Sequence, residues 1–156
     1  MPAFQRATFC HTMTMTRRLL LTAVGILAMG QAIADEAPPY PEDYMKSHPQ
    51  TQQAFQQAVK PLLSKHRWIA RYGTASPVGK YEQDGLIYTV VTGCKPHDCS
   101  SENYIALVDI HSNVRGALIQ DNQAANGNVT TTHLSWFGEV DDSARMLILK
   151  AYTQAQ

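Results

Sequence analysis

Apolar residues along this chain follow three different patterns in turn. Leu19–Met29 is a continuous apolar run, preceded by Arg17 and Arg18. Between Thr51 and Leu63, Phe55, Val59, Leu62 and Leu63 recur at helical spacing with glutamines between them. Pro61 falls inside that run, so the helix is expected to end or kink near Lys60. From Val78 the period shortens. Val78–Glu82 and Leu86–Thr92 flank Gln83-Asp84-Gly85, a hairpin turn with glycine at a positive-φ position. Leu86–Val91 and Tyr104–Ile110 are apolar on both parities, as strands covered on both faces are. His111-Ser112-Asn113 turns the chain into Val114–Gln120, and Asp121–Asn128 reads as an exposed loop. Val129–Phe137 is Thr-rich and strand-like. Asp141 or Asp142 can cap a last helix carrying Ala144, Leu147, Ile148 and Ala151 on one face. Met146–Leu149, an unbroken apolar run, leaves a strand open there.

These elements predict an α+β domain: a central antiparallel sheet of about five strands flanked by helices. The connections are two stretches without clear period. Asp35–Pro49, rich in Pro and acid, reads as a flexible lead-in, and His66–Pro77 as a connector whose Trp68 and Ile69 turn back into the core.

The amino-terminal pattern changes the picture of where the domain begins. A basic pair, an apolar run too short to span a bilayer, and Ala32-Ile33-Ala34 before Asp35 have the form of a cleavable signal peptide. Residues 1–34 are therefore expected to leave after Ala34, with periplasmic export of residues 35–156. Residues 1–14 fit neither leader nor domain, and initiation at Met13 or Met15 would still supply the leader. The chain carries 13 basic and 13 acidic residues. Arg6, Arg17 and Arg18 lie in the leader with no acid beside them, which leaves the mature domain at −3. That charge disfavours nucleic acid, whose phosphates need clustered Lys and Arg, and suits a basic partner. No membrane role is expected once the leader is gone.

Cys10 departs with the leader, so Cys94 and Cys99 remain as an even pair in an oxidising compartment and are expected to bond to each other. The loop Cys94-Lys95-Pro96-His97-Asp98-Cys99 lies between the two most apolar strands. Closing so short a ring contributes about 2 kcal/mol. With Pro96 it also removes most of the freedom of His97, so Lys95, His97 and Asp98 would project from a rigid tip. Three uses compete for such a loop. A redox site usually has two residues between its cysteines and a helix amino terminus beside them. A zinc site would need both thiols reduced, His97, and a fourth ligand from His111 or His133. A recognition loop needs only the rigid tip. No carboxylate pair, Ser-His-Asp order or phosphate-binding glycine loop stands out, so neither an enzyme nor a cofactor is expected.

CKPHDC in an exported domain of this size resembles the bacterial inhibitors of vertebrate lysozyme, the Ivy family. Weaker similarity extends over most of the mature chain: Phe55, Trp68 followed by Gly73-Thr74 and Pro77, and Leu134-Ser135-Trp136. Ser100 follows the second cysteine where better-known members carry glycine. The resemblance implies a periplasmic protein that inserts this loop into the active-site cleft of c-type lysozyme. Lys95, Pro96, His97 and Asp98 would form the partner-binding loop, with His97 reaching the catalytic carboxylates, and some members are homodimers. Two alternatives carry over: a periplasmic thiol or metal-handling protein using Cys94, Cys99 and His97, and a regulator of the cell's own lytic transglycosylases. His66, His111 and His133 are read as structural or exposed, and Trp68 and Trp136 as core.

Overall fold

The computed structural model describes residues 37–155. The leader assigned to residues 1–34 lies outside the described residues. Two short helices open the domain, α1 (Pro41–Ser47) and α2 (Pro49–Val59), and α2 tightens into a 3₁₀ turn at Lys60–Leu62. The expected break near Lys60 is therefore present. The flexible lead-in is not: α1 occupies much of it, with Pro41 and Met45 buried. Pro41 and Pro49, two of the prolines behind that flexible reading, sit in the first turns of α1 and α2, where the missing N–H has no partner to lose. Glu42 and Asp43 add negative charge at the amino terminus of α1, which the helix dipole favours. The connector is also more ordered than its pattern suggests. It holds a 3₁₀ helix at Arg67–Arg71 and a two-residue strand, β1 (Thr74–Ala75).

Five longer strands follow: β2 (Gly79–Gln83), β3 (Leu86–Cys94), β4 (Glu102–Val108), β5 (Val114–Gln123) and β6 (Val129–Gly138). All pairings are antiparallel in the order β1-β3-β4-β5-β6, with β2 also paired to β3, so the sheet has six strands where five were expected. The β2–β3 turn is Asp84-Gly85, both at positive φ, the geometry that matches the twist of a two-residue hairpin. The β5–β6 ladder runs past Gln120 to Gln123, so the exposed loop shrinks to residues 124–128. Polar pairs extend it: Asn122 Nδ2 donates to Thr131 Oγ1 at 2.9 Å, and Thr130 Oγ1 to the Asn122 carbonyl at 3.0 Å.

The last helix, α3 (Asp142–Ala155), absorbs the Met146–Leu149 run, so the strand alternative there falls away. Asp141 is its cap, Oδ1 accepting the Ala144 N–H at 2.7 Å. Helices cover both faces of the sheet at Val90–Val91 of β3 and Tyr104–Val108 of β4, whereas Leu86 and Ile87, at the start of β3, and Ile110, beyond β4, are exposed and do not have the expected two-sided cover. Val91, Tyr104, Ala106, Val108, Leu118 and Phe137 pack with Met45, Phe55, Val59, Ile69 and Tyr72. On the other face Val90, Ile105, Leu107, Ala117 and Ile119 pack with Ile148 and Ala151 of α3. Trp68 and Trp136 are half-buried, each against one of these clusters. Among the described residues no helix is long and apolar enough to cross a membrane.

Candidate functional site

The loop between β3 and β4 begins where their ladder ends, at the Cys94–Asn103 pair. Cys94 and Cys99 form a disulfide. The Asp98 N–H donates to the Lys95 carbonyl at 2.9 Å across Pro96 and His97, and His97 has φ +65°. Proline followed by a left-handed residue, closed by that bond, is the signature of a type II turn, whose third position usually goes to glycine. An L-residue held there costs about 1–2 kcal/mol. Such strain persists where surrounding bonds over-determine the backbone, and it often marks functional sites. Here the disulfide and the turn bond do so, and Pro96 and His97 stand exposed at the tip.

The root of the loop is tied on both sides. On the exit side, Ser101 and Glu102 N–H groups both donate to the Asp98 carbonyl, at 3.2 and 3.1 Å. Asn103 Nδ2 reaches the Cys99 carbonyl at 2.9 Å. From β5, Gln123 Nε2 donates to the Ser100 carbonyl and the Asp121 N–H to that of Ser101, each at 2.8 Å. On the approach side, the Lys95 N–H donates to the Glu102 carbonyl at 2.9 Å. Below it the chain leaves the Arg67–Arg71 helix through two successive left-handed residues, Tyr72 and Gly73. Gly73 lies so close to Cys94 that a Cβ there would come within 2.2 Å of the Cys94 carbonyl oxygen and 2.7 Å of the Trp68 ring. Glycine is what lets the connector support the root of the loop.

Of the expected loop residues, Pro96 and His97 face solvent, while Lys95 and Asp98 are half-buried and bonded to each other, Nζ to Oδ2 at 3.0 Å. Lys95 Nζ also reaches Glu102 Oε1 at 3.2 Å. Glu102 Oε2 in turn lies 3.1 Å from His66 Nδ1 and 3.3 Å from Trp68 Nε1. Sequence reading passed over Glu102 and Gln123, and left His66 and Trp68 as structural or core residues, because these partners meet only across the fold. The usable signal was a carboxylate opening an otherwise apolar strand. The remaining histidines, His111 and His133, are exposed elsewhere. Among the described residues no group of three or more His, Cys, Asp or Glu could hold a metal, and both cysteine sulfurs are committed to each other.

Burial pushes the Glu102 carboxyl upward, but the bonds from Lys95 and His66 outweigh it and leave the group below the usual glutamate range. Lys95 and then Ser101 hold the Asp98 carboxyl low as well. Asp98 and then Glu102 hold the Lys95 ammonium above its ordinary value. For a carboxylate with a depressed folded value, the stabilisation is complete above the unfolded value, about 4. It disappears as pH falls through the lower folded value. The backbone order of the loop, followed by ¹⁵N relaxation, is accordingly expected to hold steady from about pH 8 to about pH 5. Loosening should begin only below about pH 4, and a transition centred well above that would contradict these ion pairs.

Fold and site together define a small α+β domain, helices on both faces of an antiparallel sheet, that holds one rigid disulfide-closed turn out in solvent. The family model for inhibitor of vertebrate lysozyme (Ivy) matches residues 50–147, from the first turn of α2 into α3, with the whole sheet and the loop between. The chain belongs to the Ivy family, a family of lysozyme inhibitors rather than of enzymes. Comparison with curated proteins gives no match.

Proposed function

We propose that this domain acts in the periplasm, after loss of residues 1–34, and blocks c-type lysozyme by inserting the Cys94–Cys99 loop into its active-site cleft with His97 leading. The observation that carries this reading is the tip itself: an exposed imidazole on a left-handed residue of a turn closed by a disulfide. A retaining glycosidase works with two carboxyl groups about 5–5.5 Å apart, one protonated as general acid and one ionised. An imidazole between them can donate to one carboxylate, and when charged to both. Positive charge there favours ionised carboxylates and so takes the proton from the general acid. The plug both fills the sugar site and disables the proton donor. A domain of net charge −3 is drawn toward the basic lysozymes of this class.

The direct experiment is to titrate residues 35–156 into a c-type lysozyme acting on peptidoglycan. Stoichiometric inhibition supports the reading. Absence of inhibition at micromolar protein removes it and turns attention to lytic transglycosylases. The double variant Cys94→Ser, Cys99→Ser is expected to fold, because the ring contributes only about 2 kcal/mol. Its potency should fall about 10-fold or more, since several loop residues must then be ordered on binding. Equal potency with and without the disulfide would remove the role given to the ring.

A further inference from the structure

Three polar side chains from distant parts of the chain meet at the root of the loop. Glu102 opens β4, Lys95 begins the loop, and His66 precedes the 3₁₀ helix that carries Trp68. The Glu102 side chain is 16% exposed. A carboxylate so enclosed needs partners for its oxygens. Lys95 Nζ serves Oε1, while the N–H groups of His66 and Trp68 serve Oε2, at the distances given above. An ammonium has three donors, and Lys95 directs two of them back into its own protein, to Glu102 and Asp98.

The ring and the ion pair restrain different motions. The disulfide joins the two ends of the loop to each other, but leaves the ring free to tilt on its two strands. Hydrogen bonds from Gln123 and from the Asp121 N–H restrain that tilt on the exit side. On the approach side the corresponding side-chain tie is Lys95 to Glu102, anchored through His66 and Trp68 to the connector. A partly exposed ion pair adds little to global stability, so its effect lies in geometry. Taking the loop as the lysozyme-binding element, we propose that Glu102 is a positioning residue and Lys95 an internal brace: together they set the tilt of the ring so that His97 leads, and the Lys95 ammonium makes no contact with the partner.

The test uses Glu102→Gln, Lys95→Met and their combination in the full protein. Lys95→Met leaves the bonds of Glu102 to His66 and Trp68 intact and so guards against a folding defect in the other variant. Three quantities are read: the melting temperature, the backbone order of His97–Cys99 in the free protein by ¹⁵N relaxation, and the inhibition constant for a c-type lysozyme. Each single variant is expected to keep its melting temperature within a few degrees, lose order at His97, and inhibit about 5-fold to 10-fold less well. The double variant should lose no inhibition beyond what a further loss of order at His97 accounts for, because the Lys95 ammonium acts only through its bonds to Glu102 and Asp98. A full additional loss of inhibition from Lys95→Met in the Glu102→Gln background, with no further loss of order at His97–Cys99, would mean that Lys95 touches the lysozyme, and would overturn the proposal. Unchanged order at His97 in both single variants would overturn it too, as would lost order with undiminished inhibition. If the wild-type protein fails to inhibit, the inhibitory reading falls by itself, and the brace is still decided by the order of His97 in the free protein.

Discussion

His97→Ala is expected to weaken inhibition of a c-type lysozyme by about 2–4 kcal/mol, the range of a hot-spot side chain. That corresponds to roughly 30-fold to 1,000-fold in the inhibition constant. The loss should be this large because His97 stands at the point of the tip, and its ring is the group proposed to reach both carboxylates. On that proposal, alanine leaves them without a partner in a cleft from which an inserted loop excludes water. The backbone is expected to tolerate the change: the disulfide and the Asp98 N–H to Lys95 carbonyl bond hold the turn, and alanine at φ +65° is as strained as histidine but no bulkier. The melting temperature should therefore stay close to that of the wild type. Calorimetric titration of the two proteins into lysozyme separates the effects. Equal affinity would dismiss the role given to the imidazole, whereas a large fall in melting temperature would mean that the substitution had damaged the fold instead.

Phe55→Ala is expected to produce the opposite profile. Phe55 is fully buried on α2. Its ring lies 5.3 Å from that of Tyr72 and 5.9 Å from that of Tyr104, which in turn is 5.9 Å from Trp68. This cluster underlies the site, since Tyr104 pairs with Gly93 next to Cys94 and Trp68 donates to Glu102. Removing a buried phenylalanine ring costs about 3–5 kcal/mol in lost transfer energy and the cavity left behind. Against a total stability of about 5–15 kcal/mol, that is a large share. The melting temperature should drop by about 10–20 °C in a domain of this size. At temperatures where the variant remains folded, inhibition should persist, because Phe55 touches core and not loop. A drop of less than about 3 °C would show that α2 packs less tightly than its burial indicates.

The loop and the core were legible in the sequence to different depths. The helix, the strand sequence, the capping aspartate before α3 and the Cys94–Cys99 pair all follow from local pattern: period, turn residues and an even cysteine count. The apolar strands also announced cover on both faces, which α1 with α2 and α3 provide from Val90 onward, while Leu86 and Ile87 stay exposed. What the pattern hid were elements whose cues are ambiguous in isolation. Pro41 and Pro49 counted toward a flexible lead-in, although at the first turn of a helix proline is favoured. The polar ends of β5 and β6 read as loop, because their ladder is completed by Asn and Thr hydrogen bonds instead of apolar pairs.

Sequence by itself determined the class of fold, the closed loop and the imidazole at its tip, since each depends on residues close together in the chain. Tertiary structure alone decided how that loop is held. The left-handed φ of His97 is maintained by the disulfide and the turn bond around it. Lys95, half-buried, turns back onto Asp98 and onto Glu102. His66 and Trp68, about thirty-five residues before Glu102, become its partners only when the connector is folded against β3 and β4. The physical reason is range: helical and strand periods act over a few residues, whereas the desolvation of one carboxylate is answered by whichever donors the completed fold brings within about 3 Å.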